Sequence, residues 1–154
     1  MTNGHLDVVQ RAAKIFDRVV VAVARNDSKQ PLFTMQQRQD LVAACVSHLP
    51  NVSVDSFTGL LVDYVAGMQS QVIIRGLRAI SDFEFEFQMA LMNRKLNEHV
   101  ETIFMTPKDT YTFLSSGIVK EIAKLGGDIT SFVPLPVQAA LKERLHPTGT
   151  TYFV

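Results

Sequence analysis

Apolar residues along this chain keep one of two spacings, and the switch between them sets the order of elements. Leu6, Val9, Ala13 and Phe16 recur at helical intervals. They give way to residues 18–24, RVVVAVA, a continuous β-branched run of the type that forms a strand buried on both faces. Thr34 opens a Thr-Met-Gln-Gln stretch with capping-box spacing, and Leu41, Val42, Cys45 and Leu49 carry the inner face of that helix to Pro50. Val52, Val54 and Phe57 alternate as a short strand. Leu60, Leu61, Tyr64, Val65 and Met68 make another helical face, and residues 71–75, QVIIR, form the next strand, which ends on a basic residue beside Gly76. Asp82 is placed to cap a helix reaching Asn97, and residues 100–105 read as a strand. Ser115 and Ser116 open a helix that runs to Lys124 and stops at the glycine pair 126–127. Pro136 stands in the first turn of a last helix ending at Leu145.

Strands separated by helical stretches of roughly ten to fifteen residues call for right-handed crossovers and a parallel sheet. The expected fold is α/β, a doubly wound parallel sheet with helices on both faces. Residues 1–145 form one domain in this reading and 146–154 a C-terminal tail, whose last five residues are rich in β-formers. Sheets of this kind bind ligands beyond the carboxyl ends of their strands, where helix amino termini present unpaired N–H groups.

Composition narrows the function classes. At 154 residues there is room for one domain and no second catalytic one. Fifteen basic residues balance fifteen acidic ones, so no global charge draws the chain to nucleic acid or to an anionic membrane. A single cysteine, Cys45, excludes an intramolecular disulfide and a multi-cysteine zinc site, and its apolar neighbours place it in the core. The first residues lack the basic and apolar blocks of a signal peptide, and no stretch approaches a membrane span, so a cytoplasmic protein is expected.

Four strand-to-helix junctions carry the polar residues that matter. At Thr2-Asn-Gly-His5, Thr2 or Asn3 can cap a helix, Gly4 lets a ligand reach the backbone, and His5 sits in the first turn. Helix terminus and imidazolium would both favour an anion, although a surface histidine near a helix start is an equally ordinary reading. Lys29 lies on the loop after the strand at 18–24 and is either a ligand contact or a solvated surface cation. Arg75 and Arg78 bracket Gly76 at a strand end, a spacing suited to bidentate phosphate contacts. The alternative for this pair is salt bridging to Asp82, Glu84 or Glu86. The stretch from Tyr111 to Gly117 offers hydroxyls and backbone N–H groups at a helix start. Phe83, Phe85 and Phe87 cannot all face one core, which suggests a subunit interface.

The segments T-N-G-H, S-K-Q-P-L-F-T, I-I-R-G-L-R-A-I-S-D-F-E-F-E and F-L-S-S-G-I-V-K-E stand in an order and spacing that resemble the bacterial phosphopantetheine adenylyltransferases, from Thr2 to Leu145. T-N-G-H resembles a signature of the wider nucleotidyltransferase superfamily, whereas R-G-L-R-A-x-x-D-F-E-x-E is the more discriminating element. The resemblance implies a Rossmann-like fold and Mg²⁺-dependent adenylyl transfer from ATP to 4′-phosphopantetheine, carried out in coenzyme A synthesis by a homohexamer. It implies that His5 stabilises the transition state at the ATP phosphates. Lys29, Leu61 and Arg75 would hold 4′-phosphopantetheine, while Gly76, Leu77, Arg78 and Glu86 would hold the nucleotide. Tyr111, Thr112, Phe113, Leu114, Ser115, Ser116 and Gly117 would complete the ATP site. No metal ligand is assigned, since magnesium on a triphosphate is held mainly by phosphate and water.

The sequence also departs from the family pattern. Relatives begin with a central strand and a Gly-Thr-Phe-Asp-Pro turn ahead of T-N-G-H, and this sequence starts after that point, so an interruption at the middle of the sheet is expected. Residues 150–154 are either a loose tail, the more ordinary reading, or a substitute strand from the same or a neighbouring chain. Gly117 stands where many relatives carry a hydroxyl residue. Two other readings remain: a nucleotidyltransferase with a different phosphorylated acceptor, and an N-terminally truncated, non-catalytic assembly subunit.

Overall fold

The computed structural model describes residues 1–25, 31–78 and 80–146, the side chains of Ile80 and Ser81 excepted. Lys29 and the segment 147–154 lie outside these residues, and with them the expectations attached to both.

Helix α1 (Asn3–Ile15) leads into strand β1 (Val19–Ala24), then α2 (Met35–Val46), β2 (Val52–Phe57), α3 (Leu61–Gly67) and β3 (Val72–Gly76). Helix α4 (Ile80–Leu96), β4 (Glu101–Met105), α5 (Ser116–Lys124) and α6 (Leu135–Leu145) complete the order. Alternating strand and helix are what the hydrophobic spacing requires, and the strands are parallel where they pair.

They form two pairs instead of one continuous sheet. β1 pairs with β2 in a register that sets Val19 opposite Val52 and Ala24 opposite Phe57. β3 pairs with β4, Val72 opposite Glu101 and Gly76 opposite Met105. Among the described residues β1 and β3 exchange no ladder hydrogen bonds, so the sheet is interrupted between them, where the sequence led us to expect a break. Side chains join the two halves. Ala12 of α1, Val19 of β1 and Met105 of β4 form one buried cluster, to which Val8, Phe16, Val52 and Ile74 add their apolar surface. Helix α1 therefore packs across both pairs.

The larger core lies among α2, α5 and α6, where Cys45 and Val46 meet Val119, Ala123, Ile129, Val133, Val137 and Leu141. Val65, Ile73 and Val100 make a third cluster under α3. Several helix ends follow the predicted chemistry. Thr34 and Gln37 form the reciprocal capping box of α2. Helix α5 ends on Gly126, whose φ of 76° is left-handed, and on Gly127, where a Cβ would come within 2.6 Å of the Ile122 side chain.

Helix α1 begins at Asn3 with Thr2 as its cap, one of the two caps the sequence offered. Two expectations need correction. Helix α4 begins at Ile80, so Asp82 is in its first turn and does not cap it; its carboxylate is held by Arg78. Leu49 lies beyond α2, which ends at Val46, and the buried face of that helix is Val42, Cys45 and Val46.

Candidate active site

The carboxyl end of β3 and the amino end of α1 approach each other: the position of a Cβ on Gly76 would lie 3.5 Å from the Val8 side chain. Around this contact the structure gathers His5, Arg75 and Arg78, close enough for the two guanidiniums to depress the His5 pKa.

His5 is fixed by its own helix start. Thr2 Oγ1 accepts the His5 N–H at 3.4 Å, while His5 Nδ1 accepts the Thr2 N–H at 3.2 Å and lies 2.7 Å from Thr2 Oγ1. This is a capping box in which histidine does the work usually done by glutamate or glutamine. Because Nδ1 accepts, the neutral ring carries its proton on Nε2, which is left as a donor. The residue as a whole is exposed, while its Nδ1 is engaged by Thr2. Desolvation first, then the Met1 amino group, Arg78 and Arg75, pull its pKa down to about 4. The shift favours a neutral ring whose free donor is Nε2–H, in place of the imidazolium suggested by the sequence. The surrounding cations, which would attract a phosphate, add to desolvation in making a further charge costly.

Both arginines are engaged with carboxylates. Arg75 grips Glu86 through two parallel bonds, Nε to Oε2 at 2.8 Å and Nη2 to Oε1 at 2.6 Å. This pairing raises the Arg75 pKa further. Arg78 donates from Nε and Nη2 to Asp82 at 2.9 and 3.2 Å and from Nη1 to the Leu114 carbonyl at 2.6 Å. The salt-bridge alternative for this pair is therefore what the structure shows. Arg78 does more than pair, since its third contact ties the β3 exit to the stretch from Tyr111 to Gly117.

That stretch is a single turn of 3-10 helix, Asp109–Tyr111, followed by the cap of α5, where Ser115 Oγ accepts the Ile118 N–H at 3.1 Å. Ser116 and Gly117 occupy the first turn of α5. Leu114 sends its side chain into the core and turns its carbonyl toward Arg78, while Phe113 is exposed and meets Phe132 edge to face. Tyr111 packs on Gly4, where a Cβ would come within 3.3 Å of it. Leu61, at the start of α3, packs partly buried against the cluster of Val65, Ile73 and Val100. Among the described residues no three His, Cys, Asp or Glu side chains converge.

Two features escaped the sequence reading. The capping box was hidden because histidine is an unusual third residue. The charged pair Asp7 and Arg11 was passed over, although its i, i+4 spacing from the inner turn of a core-facing helix was a usable signal.

Residues 1–122 match the family described as cytidylyltransferase-like. The chain is 51% identical over 148 residues to the phosphopantetheine adenylyltransferase of Heliobacterium modesticaldum, covering 96% of this chain and 88% of that one. Against the enzyme of the same name from Carboxydothermus hydrogenoformans the identity is 51% over 149 residues, 97% of this chain and 92% of the relative. For that of Thioalkalivibrio sulfidiphilus it is 53% over 145 residues, with 94% and 91% covered. With a parallel α/β frame and the T-N-G-H and R-G-L-R segments brought to one end of it, the chain belongs to the phosphopantetheine adenylyltransferase family.

Proposed function

We propose that this chain transfers the adenylyl group of ATP to 4′-phosphopantetheine, forming dephospho-coenzyme A and pyrophosphate in coenzyme A synthesis. A phosphate oxygen of the acceptor forms a bond to the α-phosphorus of ATP as the bond from that phosphorus to the bridging oxygen breaks, and pyrophosphate leaves with the electron pair. Nucleophile and leaving group both arrive ionised, so no protein base is needed. The protein's task is to align two anions and to stabilise the charge that develops on the transferred phosphoryl oxygens.

The observation that carries this reading is the lock on His5. With Nδ1 held by Thr2, the ring has one orientation and one donor, Nε2–H, a preorganised group of the kind that stabilises a transition state without first having to reorient. Arg78 serves the ATP phosphates from a position fixed by Asp82 and Leu114. The backbone at Gly76 and Leu77 and the segment from Tyr111 to Gly117 line the nucleotide side, and Glu86 turns to the nucleoside once a phosphate has displaced it from Arg75. Lys29, Arg75 and Leu61 hold the acceptor. Mg²⁺ enters with ATP and neutralises triphosphate charge.

A reaction that consumes ATP fits the cytoplasm. No helix among the described residues is long and apolar enough to cross a membrane. Copies associate into a homohexamer, using α4 among their contacts. Phe83, Phe85, Phe87, Leu91 and Met92 are all exposed on that helix, with Phe83 stacked on Phe87 at 5.6 Å and Phe85 turned to another side.

The test is pyrophosphate release across a panel of phosphorylated acceptors, together with calorimetric titration of ATP and 4′-phosphopantetheine. Release with 4′-phosphopantetheine alone supports the assignment. Release with a different acceptor selects the related nucleotidyltransferase, and binding of neither substrate selects the non-catalytic subunit.

A further inference from the structure

Asp7 is a carboxylate with only 6% of its surface exposed, and nothing in the chemistry above uses it. Burying such a group is costly unless its partners compensate, and an apolar residue would pack as well. Its partners are specific. Oδ2 accepts the backbone N–H of Lys108 at 3.2 Å and the Arg11 Nη1 at 3.5 Å, and that same Nη1 donates to the carbonyl of Thr106. Between those two backbone groups lies Pro107, which has no N–H of its own. The pair therefore grips the chain leaving β4 by one donor and one acceptor.

The grip is part of a longer contact. Gly4, Asp7 and Arg11 are spaced i, i+3, i+7, one per turn along a single stripe of α1. They meet, in the same order, Tyr111, Lys108 and Thr106. The stripe thus runs antiparallel to the segment that opens the proposed nucleotide loop, which is tied at its far end by Arg78 on Leu114. His5 projects from the same first turn as Gly4.

We infer that Asp7, with Arg11, is a positioning residue for adenylyl transfer: it fixes the 106–111 segment to the helix that carries His5, and so sets the spacing between the donor on His5 and the phosphates held by the loop. Ground-state binding tolerates a loop that shifts by a fraction of an ångström. Transition-state stabilisation does not, because the donor must meet charge where it develops. The inference rests on the reading of His5 as that donor.

A double-mutant cycle between Asp7→Ala and His5→Ala, with kcat and the calorimetric Kd for ATP as readouts, tests it. Asp7→Ala is expected to lower kcat about 10- to 100-fold while the ATP Kd stays within about threefold, and Asp7→Asn, whose carbonyl can still accept from Lys108, to recover most of the loss. In the His5→Ala background, Asp7→Ala should cost less than about threefold more, since misplacing an absent donor has no further effect. Should Asp7→Ala fail to fold, Arg11→Met opens the Thr106 side of the grip and carries the same cycle. Losses that multiply in full, or an ATP Kd that worsens in step with kcat, overturn the positioning role while leaving the enzyme assignment intact. A His5→Ala protein with undiminished kcat removes the catalytic reading, and the inference with it.

Discussion

The guanidinium of Arg75 and the carboxylate of Glu86 close on each other through two hydrogen bonds of 2.8 and 2.6 Å, the arginine at the end of β3 and the glutamate one and a half turns into α4. Arginine side-chain exposure is 47% and glutamate 13%, so the arginine can be reached by an anion while the glutamate is largely covered by it. The family resemblance gives these residues to different substrates. A phosphate on Arg75 must then compete with Glu86, and the glutamate is released toward the nucleoside only when that competition is won.

Glu86→Gln should accordingly move the two affinities in opposite directions. The acceptor, 4′-phosphopantetheine, is expected to bind several-fold tighter, because its phosphate no longer displaces a carboxylate, and ATP to bind several-fold weaker. Calorimetric Kd values for each substrate alone provide the check. Shifts of the same sign for both substrates would falsify the shared clasp.

His5→Ala should slow turnover by about 10²- to 10³-fold and change ATP affinity much less, since the bond from Nε2–H strengthens as charge develops. Initial-rate kinetics beside direct binding separate the two effects, and equal losses would reject the role.

The acid limb of stability should report the same side chain. The folded pKa of His5, about 4, lies below the ordinary 6.5, so over that interval the unfolded chain takes up a proton that the folded one refuses. Its stability contribution is intact above pH 6.5 and is lost as pH falls toward 4. Chemical denaturation midpoints followed from pH 7 to 4 should decline less steeply for His5→Gln than for the parent, and parallel curves would show that the ring is not held neutral.

Tyr64 gives a prediction at the other end of the scale. Its hydroxyl donates to Asp55 Oδ2 at 2.9 Å and its ring stacks on Phe57 at 4.7 Å, and burial followed by that carboxylate pushes its pKa up to about 12. Here the folded value exceeds the ordinary 10, so the contribution is whole below pH 10 and disappears as pH rises through 12. Tyr64→Phe should cost about 1 to 2 kcal/mol at pH 7 in urea unfolding and should flatten the alkaline decline.

Association through α4 is tested by Phe85→Glu, a change at a side chain 62% exposed and free of the Phe83–Phe87 stack. Sedimentation velocity should show a smaller species at the same loading concentration, with the circular dichroism of the parent. An unchanged sedimentation coefficient would place the contacts elsewhere.

Hydrophobic spacing determined the order of helices and strands, because periods of 3.6 and 2 are local properties that survive without tertiary information. The Thr34 box, the glycine pair that stops α5 and the polar residues at strand ends were equally legible, since capping and turn chemistry act over three or four residues. The tertiary structure alone decided what those polar residues meet. Glu86 binds Arg75 from eleven positions away, Leu114 receives Arg78 from thirty-six, and Asp7 reaches Lys108 from a hundred and one. The pKa of His5 belongs to the same class: sequence proposed an imidazolium, whereas desolvation and the nearby Met1 amino group, Arg78 and Arg75 lower the pKa of the ring. Partners and protonation depend on distances between segments, and those are set by how α1 packs across two strand pairs, a fact that no local pattern encodes.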